Sequence, residues 1–211
     1  LTLGIVILLF VSAASKQFYP DRELGVVQAL LVINMVIGLY GFKSKKLWFH
    51  STIGISLSII FVIALSAFLQ YFELHNVQLV FSLCFYLWAM FLATKQVMFS
   101  GTIDINEIIG AVCIYLLMGL IWALIYLIVA QFIPQSFNGI SQLSWHENFF
   151  DLAYFSFVTL TTLGYGDITP AAPLARFLVY MEAIVGVFYM AILVASLIGA
   201  RVSEPHHSKD D

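Results

Sequence analysis

The sequence predicts an all-α polytopic membrane protein with six transmembrane helices and a shorter, re-entrant helix between the fifth and the sixth. Three observations predict it. Of 211 residues 62% are hydrophobic and only 10% charged, at a mean hydropathy of +0.98. A water-soluble chain of this size could not hide so much apolar surface. The apolar residues fall into long runs separated by short polar or charged stretches. Between the last two runs lies a long loop holding one further, shorter apolar patch that ends in a glycine-containing polar sequence. The formal net charge of −3 decides little, and no basic patch large enough to hold nucleic acid is present. Cys84 and Cys113 fall inside apolar runs, where buried thiols are expected, so neither a disulfide framework nor a metal site is predicted.

Taken in order, the first run, residues 1–14, would rise only about 21 Å as a helix, short of the roughly 30 Å hydrocarbon layer. It reads as the back half of a membrane helix that begins upstream, with a processed or interfacial segment as the alternative. The second span, 23–41, is bounded by Asp21-Arg22-Glu23 and by the Lys43-Ser44-Lys45-Lys46 loop. The third covers 47–71 and the fourth 77–99. The fifth covers 108–133 and is closed by Pro134, which cannot continue a helix. Ahead of it Asp104 and Glu107 have the spacing of a capping box and place the helix start near Ile105. The sixth runs from 174 to about 201. Lysine and arginine placement puts the 43–46 loop, Lys95 and the tail on the cytoplasmic side of the cell membrane, with both termini inside. Lys16 and Arg22 run against that trend.

The loop 135–173 carries the chemistry. Residues 147–160 can form a helix of three to four turns, roughly 20 Å long. That is too short to cross a bilayer and long enough to enter halfway and return. It stops at Thr161-Thr162-Leu163-Gly164-Tyr165-Gly166-Asp167. Non-helical backbone at membrane depth is tolerated only when it is buried in protein or lines a water-filled route. A dehydrated cation needs several oxygens to replace its water, and successive backbone carbonyls can supply them if all point toward one axis. An ordinary strand alternates its carbonyls. Gly164 and Gly166 tolerate the left-handed dihedrals that the unusual arrangement needs, while Leu163 and Tyr165 can point their side chains away. Thr162 adds a hydroxyl at the inner end. One chain supplies one strand of such a filter, so a C4 homotetramer, with three further copies of the chain, is expected.

The motif Thr159-Leu160-Thr161-Thr162-Leu163-Gly164-Tyr165-Gly166-Asp167 resembles the selectivity filter and pore-helix end of the potassium channel pore-domain family. The resemblance covers about residues 108–201. Leu163 stands where many members have Val or Ile. It implies a tetrameric channel conducting K+ passively, with K+ as the permeant ion held by Thr162, Leu163, Gly164 and Tyr165, Gly166 completing the filter, and no cofactor. It also implies that Asp167 lies at the outer mouth, and that Tyr154 and Phe155 support Tyr165 where many relatives carry paired tryptophans. Some relatives pair the aspartate with a pore-helix glutamate, but here Val158 holds that position. Gly186 resembles the family's inner-helix hinge, with a packing glycine as the alternative. Met190, Val194 and Ile198 then come at i+4 spacing and line the cavity or a lower constriction, where apolar rings can gate by dewetting.

Glu182 sits within the sixth span, where an unpaired carboxylate in lipid is costly. Ser156 and Thr159 of the short helix are its expected partners, so Glu182 is expected to brace that helix from behind. A protonated acid satisfied elsewhere is the alternative. The fourth span holds only Lys95 near its end, so no voltage sensor of the familiar kind is predicted. The organisation expected is a four-helix peripheral membrane domain over 1–103, a pore domain over 104–201 and a short cytoplasmic tail over 202–211. Membrane lipids are expected partners, and an unidentified cytoplasmic regulator is left open. The histidines, at 50, 75, 146, 206 and 207, show no nucleophile or metal-ligand spacing, and no enzyme is predicted. Competing readings are a non-selective cation channel and a non-conducting regulatory membrane subunit. A potassium-uptake transporter would need several filter-like repeats, and this chain has one.

Overall fold

The computed structural model describes residues 1–18, 23–41, 72–98, 105–141 and 145–203. They form helices α1 (Thr2–Phe18), α2 (Glu23–Gly41), α3 (Phe72–Met98), α4 (Ile105–Phe132), α5 (Trp145–Leu160) and α6 (Pro173–Ser203). A short ribbon joins β1 (Phe137–Asn138) to β2 (Thr169–Pro170).

α4 is the axis of the structure. A helix that is apolar all round must be covered all round, and Leu117, Leu120, Ala123, Leu124 and Tyr126 are completely buried. α3 packs on one side of α4 and α5 on the other, with α1 and α6 completing its cover. The α4–α5 crossing is close because Gly119 carries no side chain: a Cβ there would stand 2.5 Å from the Phe157 ring. α4 ends at Phe132, two residues before Pro134. α6 opens on Pro173, whose missing N–H costs nothing at a first helical position. α1 is tied to α5 by the Lys16–Asp151 ion pair, with the Lys16 ammonium 5.7 Å from the Phe150 ring centroid.

The expected fold is corrected in its span count. Among the described residues three helices, not six, are long and apolar enough to cross a membrane: Val77–Val97, Glu107–Phe132 and Pro173–Ser196. They support a multi-pass membrane location. Among the described residues Thr2–Phe18 of α1 and Ala29–Gly38 of α2 are shorter apolar helical stretches. The third expected span, 47–71, lies outside the described residues, as do Asp104 and residues 204–211. Nor do the described residues close a re-entrant helix and filter into a ring. α5 is a short helix packed among α1, α2, α4 and α6, and its buried residues include Phe149, Leu152 and Ser156. A further correction concerns the thiols: both are free, but Cys84 is exposed on α3 while Cys113 is buried.

The ribbon holds both ends of the loop between α4 and α6. Phe137 pairs with Pro170 and Asn138 with Thr169 in antiparallel register, and the Ser136 carbonyl accepts the Ala171 N–H at 2.8 Å. At the turn Gly139 takes φ 83° and passes so close to Asp167 that a Cβ would lie 2.2 Å from its carbonyl oxygen. Only glycine satisfies both demands.

Candidate functional site

α5 presents Leu152, Phe155 and Ser156 to the core, and its end sets the geometry of the glycine-containing segment. Thr162 N–H donates to the Thr159 carbonyl at 2.9 Å and Leu163 N–H to the Val158 carbonyl at 2.9 Å. With Thr162 at φ 59°, this is the paired-bond helix ending in which one left-handed residue closes the last turn. That position is usually glycine. A β-branched residue there is a true outlier, and nothing in the sequence pattern marked Thr162 for it.

Beyond the cap the left-handed conformation recurs at Gly164 (φ 56°) and Gly166 (φ 81°), while Leu163 and Tyr165 keep negative φ. Residues 162, 164 and 166 therefore alternate in hand with 163 and 165. A Cβ at Gly164 or Gly166 would meet nothing within 4 Å, so both are required for conformation and not for space. Residues 161–167 are all exposed in the single chain, and Tyr165 is 67% exposed.

Asp167 closes the segment. Its carboxylate accepts the Tyr154 phenol at 2.8 Å and the Ile168 N–H at 3.0 Å. The hydrogen bond to Asp167, followed by desolvation and the nearby negative charge, raises the Tyr154 phenol above its ordinary value. Tyr154 thus occupies the partner role that the sequence left vacant at Val158. Phe155 turns the other way, and its ring lies 5.5 Å from Tyr126 and 5.7 Å from Phe137. Within one chain it packs at the α4–α5 interface.

Glu182 is fully buried between α4, α5 and α6. One carboxyl oxygen accepts the Tyr126 hydroxyl. The other lies 2.6 Å from Ser156 Oγ, which is also 2.7 Å from the Gly119 carbonyl. Ser156 is therefore brought to Glu182 as expected from the sequence. Thr159 contributes its carbonyl to the α5 cap, and Tyr126, which sequence reasoning missed, takes the place expected of its hydroxyl. No periodicity could have singled out one tyrosine within an α4 that is apolar on every side.

α6 continues unbroken through Gly186, which is buried against the end of α5. The Leu160 carbonyl there also accepts the Tyr115 hydroxyl at 3.3 Å. Met190 and Val194 are exposed on α6, and the Ile198 side chain lies outside the described residues. No group of three or more His, Cys, Asp or Glu that could hold a metal occurs among the described residues.

Residues 110–202, less than half of the chain, match a family model described as ion channel. Inward rectifier potassium channel Kirbac3.1 of Paramagnetospirillum magnetotacticum is 37% identical over 92 residues, 44% of this chain and 28% of that protein. Two pore potassium channel c of Oryza sativa subsp. japonica is 42% identical over 48 residues, 23% of this chain and 10% of that protein. The chain thus aligns with less than a third of either relative's length. No solved structure matches it. At family level the chain is similar to potassium-channel pore-domain proteins, which supports a cation-channel-like role and a non-catalytic transport protein.

Proposed function

We propose that copies of this chain assemble, four about one axis, into a potassium-selective channel through which K+ moves passively down its electrochemical gradient. The observation that carries the reading is the alternation of left-handed backbone at Thr162, Gly164 and Gly166. Alternating hand turns successive carbonyls toward the same side, which an ordinary strand cannot do. Carbonyls of Thr162, Leu163, Gly164 and Tyr165 are then the K+ ligands, and a ring of Asp167 carboxylates at the mouth concentrates cations. Residues 104–201 form the conducting unit and 1–103 a peripheral, non-voltage-sensing one.

Assembly is supported by what the single chain leaves uncovered. Of the most apolar 18-residue stretch of each span, only 11% is buried in α6, against 67% in α4. Phe188 and Ile192 on α6 stand open together with Leu163 and Tyr165, and lipid or further copies must cover such a surface. On this reading Gly186 is the hinge of α6, and Met190, Val194 and Ile198 line the inner cavity. Glu182 holds α5 from behind.

Reconstitution in planar bilayers under a potassium/sodium gradient tests the function. A reversal potential near the potassium equilibrium value is expected. A value near zero with robust current establishes the non-selective cation channel instead. Silence from folded, correctly inserted protein, with or without cytoplasmic extract, favours the non-conducting subunit.

A further inference from the structure

A cleft of about 520 Å³ lies between α3, α4 and α6, away from the glycine-containing segment. Its three walls are the three helices able to cross a membrane. Val97 in the last turn of α3, Glu107 in the first turn of α4 and Ser196 of α6 line one end of it. With a carboxylate in the first turn of α4 and the end of α3 beside it, this end of the cleft lies toward the edge of the hydrocarbon layer. Met90, Met118 and Tyr189 line the other end, deeper by seven to eleven residues, or about 10 to 16 Å of helix rise. The cleft runs from head-group level into the apolar interior.

The walls are held in place. A Cβ on Gly110 would stand 2.6 Å from a Val97 methyl, so α3 and α4 touch at the mouth. The Tyr189 hydroxyl donates to the Ala111 carbonyl at 2.6 Å and ties α6 to α4. The volume falls within the range of about 300–1,000 Å³ usual for ligand sites. Its lining is mostly apolar, Thr94 and the Tyr189 hydroxyl apart, and at the mouth Glu107 forms no ion pair with another described residue. A carboxylate at head-group depth above an apolar slot favours an amphiphile whose head bears an ammonium, because an ammonium–carboxylate contact gains strength near the low-dielectric boundary. A head of net negative charge without an amine lacks that contact.

We propose that this cleft holds one acyl chain of a bilayer phospholipid bearing a protonated amine, with Glu107 meeting the ammonium and the tail lying between α3 and α6. The proposal is independent of what the chain conducts. The test uses the full chain in nanodiscs made from equal parts of phosphatidylethanolamine and phosphatidylglycerol of the same acyl composition. Retained lipid is counted by native mass spectrometry after release into detergent. Preferential retention of phosphatidylethanolamine is expected, and Glu107→Gln should reduce that preference by about tenfold, the loss of one charge-assisted contact. Thr94→Phe, which fills the slot from α3, should reduce retention of both lipids. Equal retention of the two lipids by the unaltered chain overturns the proposal, as does an unchanged preference in the folded Glu107→Gln variant. Retention of neither lipid also overturns it.

Discussion

The backbone of α6 at Gly186 passes against the last residue of α5 so closely that a Cβ would lie 2.7 Å from the Leu160 carbonyl oxygen. The obstacle is backbone, and that same carbonyl is tied to Tyr115 of α4. It cannot swing aside as a side-chain tip could.

Gly186→Ala should therefore push α6 off α5 and destabilise the chain by about 1–3 kcal/mol, the usual cost of overpacking. Gly186→Val should cost more. Thermal unfolding in detergent measures this. A hinge without a packing role predicts another result, with altered open probability and an unchanged unfolding temperature for Gly186→Ala.

Glu182 joins three helices through Tyr126 of α4 and Ser156 of α5. Tyr126→Phe or Ser156→Ala leaves a buried carboxyl short of a partner, at about 1–3 kcal/mol each. Because both act on one group, the double variant should depart from additivity, and an additive cycle would show that the two contacts are independent. Glu182→Gln keeps the shape and removes the acid. If potassium selectivity and open lifetime are both unchanged in that variant, bracing of α5 by the carboxyl has no functional role.

How far the sequence could be read depended on whether a feature was local. α5 appears as Trp145–Leu160 where the apolar patch 147–160 predicted a helix. The apolar patch of α5 is a short-range pattern, which a sequence displays directly. The span count was not legible in the same way. An apolar run reports only that a segment avoids water: on α1, Ile5 and Leu8 are buried in the bundle while Leu3 and Phe10 stand exposed. The partners of single polar groups were equally hidden. Tyr126 and Glu182 are 56 residues apart, and only the α4–α6 approach brings them together. Tyr154 and Asp167 are 13 apart, but their meeting depends on the left-handed turn at Thr162, which its residue type argues against.

Thr162 carries a conformational cost that glycine would not. Thr162→Gly should stabilise the helix ending by about 1 kcal/mol, since a left-handed L-residue costs roughly 1–2 kcal/mol. The same change deletes the hydroxyl that the proposed filter uses, so potassium selectivity should fall as the unfolding temperature rises. Thr162→Ala separates the two effects, because it removes the hydroxyl and keeps the strained dihedral. If Thr162→Gly gives no gain in unfolding temperature, the threonine is not strained.

The Tyr154–Asp167 pair lies at the surface, so its effect should be read in conduction and not in stability. Asp167→Asn should lower potassium conductance at 0.01–0.1 M salt, where the screening length is about 10–30 Å, and matter little near 1 M, where it is about 3 Å. Tyr154→Phe keeps the charge and should leave that salt dependence unchanged, but it frees the carboxylate to reorient and should shorten open events. The pH dependence has a defined sign. Hydrogen bonding to Asp167 raises the Tyr154 phenol above its ordinary value of 10.0, so the protonated, donating form is favoured in the folded chain. Its contribution is complete below 10.0 and is lost only as pH rises through the higher folded value. Open events of the unaltered chain should therefore stay constant up to about pH 10 as far as this pair is concerned and shorten above it, with no matching change in Tyr154→Phe. Identical profiles for the two proteins across that range would mean that Asp167 is held by the Ile168 N–H alone.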